Sequence, residues 1–256
     1  PVYNGAKYLD EAMVSILNQT FIDFEFLIFD DGSTDQSIDL IKTYDDPRIQ
    51  LFENEVNIGQ SATLNKGLRL ARGKYIARMD QDDISTLDRL TKQLEFMENN
   101  HHIDVCGSWL QLMGKYDQMH ELEIDSEKIK MNLLTNENLA HPTVMLRKST
   151  LVKYNLNYNT TFVVAQDYDL WVRMFENCSF SNLPEPLVKY RMHENQNSKI
   201  MGEQNRDETN KILINLLKKI GIQPDDSDLI IHKKVFTGYG IDSLYIREVF
   251  KYLMRL

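Results

Sequence analysis

The chain has 256 residues, 42% of them hydrophobic and 26% charged, with only 11 Gly and 6 Pro, so disordered, collagen-like and low-complexity classes are excluded. Its 38 acidic against 29 basic residues give a formal charge of -9, which opposes any partner held through a basic surface, nucleic acid above all. No apolar run reaches the roughly 20 residues of a bilayer-crossing helix, and Cys106 and Cys178 lack the spacing of a zinc site or disulfide scaffold.

The opening Pro1-Val2-Tyr3 reads as the tail of a strand whose apolar body is missing, and nothing at the start has the charged-then-apolar form of a leader; the two widely separated cysteines fit a reducing cytoplasm. Tyr8, Leu9, Ala12, Met13, Ile16 and Leu17 then recur at helical spacing. A buried strand is expected over 24–29, ending at Asp30-Asp31-Gly32-Ser33, where Ser33, Thr34 or Asp35 can cap the next helix. A short strand at 49–52, a helix carrying Leu64 and Leu68, and a strand at 75–79 ending in Asp80-Gln81-Asp82-Asp83 follow. Strands and helices alternate over these first hundred residues, predicting an α/β, Rossmann-like and mostly parallel sheet flanked by helices. In such sheets ligands bind beyond the carboxyl ends of the strands, so both acidic turns should face one cleft.

Downstream, the spacing predicts a helix from Leu87, strands at 103–113 and 143–147, a helix over 167–175 and an apolar stretch at 187–190. Beyond about residue 200 the pattern is helical only, first around Ile212–Ile220 and then through Leu244, Val249, Phe250 and Leu253. Arg247, Lys251 and Arg255 give that last helix a basic face, read as a solvated face in preference to a membrane-surface one.

Carboxylates clustered at a strand end repel one another unless a cation or ligand neutralises them, so Asp80-x-Asp82 with Asp83 is the strongest chemical signal. An acidic turn can also simply cap the following helix. A calcium EF-hand is excluded, because its sixth and twelfth positions would be Ser85 and Thr91. Two acidic turns together suit a nucleoside diphosphate: carboxylates for the ribose diol or base edge, and a metal for the diphosphate. Neither the P-loop nor the G-x-G-x-x-G fingerprint occurs.

These residues resemble the inverting family 2 glycosyltransferases of GT-A fold. The resemblance runs through Pro1-Val2-Tyr3-Asn4-Gly5, Asp30-Asp31-Gly32-Ser33-Thr34-Asp35, Asn57-x-Gly59, Gly73-Lys74-Tyr75-Ile76 and Asp80-Gln81-Asp82-Asp83, then His141-Pro142-Thr143, Asp167-Tyr168-Asp169-Leu170-Trp171 and Tyr190-Arg191-Met192-His193. It covers residues 1–198, implying a catalytic domain there and a helical C-terminal region at 199–256. It places Pro1, Tyr3, Asp30, Asp31, Asp80 and Arg191 at the nucleotide, Asp82 and His193 on a divalent metal (Mn or Mg), and Asp167 as the base. Arg191 and Arg78 could assist the departing diphosphate or equally serve as structural counter-ions of the acidic cleft. His141 and Gln166 are weaker acceptor-side candidates, and Gln166 stands where the family commonly has an acid.

The implied activity is metal-dependent transfer of a sugar from a nucleotide-diphosphate sugar, UDP-linked by preference, to a glycan or lipid-linked acceptor of surface polysaccharide. The implied setting is cytoplasmic, at the inner face of the membrane, with peripheral membrane contact and a homodimer left open. Two rivals remain: a haloacid-dehalogenase-type phosphatase built on Asp80-x-Asp82, and a nucleotide-sugar-binding module without turnover.

Overall fold

The computed structural model describes residues 1–134, 139–194, 196 and 201–224. The second C-terminal helix expected around Leu244 to Leu253, with Arg247, Lys251 and Arg255, lies outside the described residues.

Helix α1 (Ala6–Leu17) buries Leu9, Ala12, Met13 and Ile16, one face at helical spacing. That face packs on Ile28 of strand β1 (Phe26–Asp30) and on Ile41 of α2 (Ser37–Lys42). Asp35 ties the two helices together: one carboxylate oxygen accepts the N–H and hydroxyl of Ser37, the other the N–H of Ala6. Strand β2 (Ile49–Glu53) pairs in parallel with β1 from Phe26↔Ile49 to Asp30↔Glu53, completing one strand–helix–strand unit. Helix α3 (Gln60–Leu70) follows.

The remaining strands form a second sheet. They are β3 (Tyr75–Ala77), β4 (Ile84–Ser85), β5 (Val105–Gly114), β6 (Gln118–His120), β7 (Met145–Arg147) and β8 (Phe180–Met192), ordered β3-β7-β5-β8-β4 with β6 paired to β5. Only β5/β8 is parallel there; β3/β7, β5/β7, β4/β8 and β5/β6 are antiparallel. The α/β class is as expected, but the sheet is mixed where a mostly parallel one was predicted. Helix–strand alternation fixes the class; strand direction depends on where each connection re-enters the sheet, which periodicity does not encode.

Pro184 and Pro186 lie inside β8, and its register against β5 slips on either side of Trp109, which faces Pro186. Proline has no N–H for the ladder, so the irregularity falls where it stands. Beyond it β8 runs beside β4, with Ile84↔Lys189, and so delivers Arg191 and His193 to the Asp80–Asp83 turn.

Helices α4 (Arg89–Asn99), α5 (Ser126–Asn132), α6 (Lys148–Lys153), α7 (Gln166–Met174) and α8 (Gly202–Lys219) cover the sheets. The largest core joins Val105, Leu146 and Phe180 from the sheet to Trp171 of α7 and to Ile212 and Leu216 of α8. Between β1 and β3 lies an apolar slot of about 690 Å³, with Pro1 and Val2 among its lining, and Val2 bridges in parallel to Asp30.

Candidate active site

The first acidic turn is built inward. Asp30 is fully buried; one of its oxygens accepts the N–H groups of Gly32 and Ser33 at 3.1 and 2.9 Å, while Oδ1 is buried with no hydrogen-bond partner. Asp31, 3% exposed, accepts at Oδ1 from Asn54 Nδ2 (2.8 Å) and the Ile58 N–H (2.9 Å), and at Oδ2 from the Gly59 N–H (3.0 Å). The carboxylate expected at a base edge therefore already clasps the 54–59 loop. Gly32 makes the approach feasible: its φ is +77°, and a Cβ there would sit 2.8 Å from the backbone of Val56 and Asn57.

The second turn is held by arginines. Arg78, 6% exposed, grips both oxygens of Asp80. Asp82 Oδ2 lies 2.8 Å from His193 Nε2. Asp83 is fully buried, with Oδ1 accepting the Arg191 N–H at 2.9 Å and Oδ2 unpartnered. The Arg191 guanidinium donates to the Asp82 carbonyl at 2.8 Å and to Glu11 at 2.5 Å, 4.5 Å above the Tyr8 ring. Through these contacts Arg191 is paired with Glu11 and braces the turn. Arg89, fully buried, donates to the Arg78 carbonyl at 2.7 Å and supports the turn from beneath.

Asp80, Asp82 and Asp83 each offer a carboxylate oxygen within 4.8 Å of the others. Burial and then the charge on Asp80 push the Asp82 carboxyl up, against the pull of His193; burial, Asp80 and Asp82 push Asp83 well above the usual carboxylate range. The turn thus holds more negative charge than its own donors neutralise. Clustered carboxylates, an orphaned buried oxygen on Asp83 and an adjacent imidazole fit a hard divalent cation such as Mg or Mn.

Gln81 links this turn to the start of the chain. Its side chain accepts the Tyr3 N–H at 2.8 Å and donates to the Tyr3 carbonyl at 3.1 Å, and a Cβ on Gly5 would collide with it at 2.4 Å. Tyr3 is thereby fixed by its backbone while its side chain stays exposed, and Pro1 is half-buried.

Asp167 sits in the first turn of α7, 16% exposed, its Oδ1 accepting the Tyr168 N–H at 2.9 Å. Arg78 is close enough to act electrostatically on both Asp80 and Asp167, which brings the second turn and α7 to one place. His141 and Gln166, the acceptor-side candidates, are 6% and 4% exposed. His141 meets Tyr158 and stands 3.9 Å from Asp167; Gln166 donates to Gln60 at 3.1 Å and leaves its Oε1 buried without a partner. The loop before α7 is pinned from α8: Glu208 accepts the N–H groups of Val163, Val164 and Ala165.

Sequence reasoning missed Gln81, Arg89, Tyr158 and Glu208. Gln81 had a signal, an uncharged residue breaking an acidic run; the other three had none, because each works through contacts distant in the chain. A phosphatase nucleophile at Asp80 would need a free carboxylate oxygen, and Arg78 holds both.

A family model described as "Glycosyl transferase family 2" matches residues 1–162. An uncharacterized glycosyltransferase of Haemophilus influenzae is 32% identical over 237 residues, covering 86% of this chain and 73% of its own. The O-antigen biosynthesis glycosyltransferase WbnJ of Escherichia coli is 34% identical over 210 residues, 77% of this chain and 80% of its own. Among solved structures, residues 1–349 of S. aureus TarS in complex with UDP-GlcNAc superpose with a TM-score of 0.72 at 18% identity, over 99% of this chain and 78% of that one, a likeness of fold.

Proposed function

The chain belongs to glycosyl transferase family 2 and is a glycosyltransferase of GT-A fold; from that premise we propose that it moves a sugar, with inversion, from a UDP-sugar to a hydroxyl of a glycan or lipid-linked acceptor in surface-polysaccharide synthesis. The observation carrying this reading is the Asp80–Asp82–Asp83 cluster with His193 beside it, sharing Arg78 as an electrostatic neighbour with Asp167. The donor class is supported by the UDP and UDP-GlcNAc complexes of TarS, and the polysaccharide setting by the O-antigen role in WbnJ's name. Among the described residues no helix is long and apolar enough to cross a membrane.

Asp167 is the base. It takes the proton of the acceptor hydroxyl as that oxygen's electron pair bonds to the anomeric carbon, and the carbon–oxygen bond to the diphosphate breaks on the opposite face, its electrons leaving with UDP. A single displacement inverts the centre and needs no covalent enzyme intermediate. Asp82, with His193 and its acidic neighbours, would hold a divalent ion, which supplies positive charge to the departing diphosphate. Arg78 and Arg191 keep the acidic turn in place, and the Asp31 clasp fixes the loop forming the nucleotide side.

The test is UDP release from a panel of nucleotide sugars with and without Mn. Release should require the metal and vanish in Asp82→Ala; Asp167→Asn should lose transfer while still binding donor. Transfer by Asp167→Asn near the parental rate refutes the base assignment, and tight UDP-sugar binding with no turnover under any condition selects a non-catalytic binding module.

A further inference from the structure

Beside Asp167 lies a buried pair of side chains to which the sequence gives no role in proton transfer. His141 opens the 3₁₀ turn His141–Thr143, and its Nε2 lies 2.8 Å from the Tyr158 hydroxyl. Its other nitrogen, Nδ1, lies 3.9 Å from Asp167 Oδ2. The imidazole is 6% and the tyrosine 2% exposed, and Trp171 meets the His141 ring edge-on at 6.2 Å between centroids. Tyr158 is itself fixed: Asn65 of α3 donates to its carbonyl and accepts its N–H, both at 2.8 Å.

The tautomer follows from these contacts. Burial and the nearby Arg78 both disfavour a charged His141, so the ring is neutral and carries one proton. Burial keeps the Tyr158 phenol protonated, and a buried hydroxyl needs an acceptor. If Tyr158 donates to Nε2, the ring proton sits on Nδ1 and points to the carboxylate. The opposite tautomer would set a lone pair of Nδ1 against a carboxylate oxygen, which is repulsive. The 3.9 Å separation is longer than a hydrogen bond, as catalytic contacts often are before the reacting complex forms, and a small turn of the Asp167 side chain closes it.

We propose that His141, held in its Nδ1–H tautomer by Tyr158, is a positioning residue that orients the Asp167 carboxylate for proton abstraction and remains uncharged throughout. A neutral donor aims the base without the charge of an imidazolium, which would weaken it as a proton acceptor. The proposal rests on the reading of Asp167 as the base. Among the described residues, the charged groups acting on the trio are Arg78 and Asp80 on the β3 side and Arg173 of α7.

The test compares His141→Asn, whose amide can reproduce the Nδ1 donor, with His141→Gln, whose longer amide reaches towards Tyr158 instead, alongside Tyr158→Phe and Asp167→Asn. We expect His141→Gln to lower kcat about 10- to 100-fold, a part of what a general base contributes, with donor KM changed less than about twofold. The acid limb of its kcat–pH profile should move to higher pH, because the carboxylate has lost a donor that favours its charged form. His141→Asn should recover most of the rate, and Tyr158→Phe should fall between. Equal rates in His141→Gln and the parent, or Asn and Gln variants equally impaired with an unshifted profile, overturn the proposal. Should His141→Gln fail to fold, Tyr158→Phe decides it: an unchanged kcat with an unchanged profile refutes the relay. An active Asp167→Asn would remove the base itself and His141's role with it, whereas an inactive Asp167→Asn beside an unimpaired His141→Gln removes only the latter.

Discussion

Glu208→Gln puts the link between α8 and α7 to a quantitative test. The Glu208 carboxylate, 6% exposed, receives the N–H of Val163 on both oxygens at 3.0 and 3.1 Å, of Val164 at 2.9 Å, of Ala165 at 3.0 Å, and the Gln204 amide at 2.9 Å. Burial alone would raise its pKa, but these donors outweigh it and hold the carboxyl below the usual value. Gln keeps the shape but removes the charge and turns one acceptor into a donor facing N–H groups. With hydrogen bonds to a charged group worth about 1.5–3 kcal/mol and one lost outright, the cost is about 2–3 kcal/mol at neutral pH. For a chain of this size that lowers Tm by about 5–10 °C, read by calorimetry. The pH dependence has a definite sign. A carboxyl whose pKa is depressed by folding contributes stability above its unfolded pKa of about 4.3 and loses it as pH falls through the lower folded value. The Tm gap between parent and Glu208→Gln should therefore be constant from about pH 6 to 8 and shrink below about pH 4. A gap under 1 °C at neutral pH, by the same scale, or one that widens on acidification, refutes the reasoning.

Two further predictions concern the turns. Because burial and mutual repulsion raise the Asp82 carboxyl, its ionised form destabilises the metal-free fold; Asp82→Asn should raise Tm without metal and abolish the rise that Mn gives the parent, and a variant that still gains stability from Mn would remove Asp82 from the site. Gly32→Ala should cost about 1–3 kcal/mol in urea unfolding, since alanine meets both the positive φ and the Val56–Asn57 backbone; an unchanged midpoint would mean the 54–59 loop yields freely.

The first hundred residues were the most legible part of the fold. Leu9, Ala12, Met13 and Ile16 gave α1 its buried face, and the apolar run before Asp30 gave β1, because both follow from local periodicity. The stretch from Gln118 to Asn132 did not read as β6 and α5: the strand is three exposed residues, and the helix buries only Ile129. Strand β8 was seen only from Leu187 because Pro184 and Pro186 mask its first half. At the site, the family motifs named Asp82 and His193 together, and their side chains meet in space. The contacts of Asp31, Arg191 and His141 were not legible, since a motif names a residue without saying whether its atoms are already engaged by the protein.

Under the proposed function, in which Asp31 stands at the nucleotide, its engagement bears on any attempt to redesign donor preference. Replacing that aspartate would not edit a single recognition point; it would unfasten Asn54, Ile58 and Gly59 together, and a change in nucleotide choice would arrive mixed with a collapsed wall. Selectivity is better sought in side chains that the clasp presents, such as Val56 and Asn57, leaving the fastener intact so that altered preference and altered architecture stay separable.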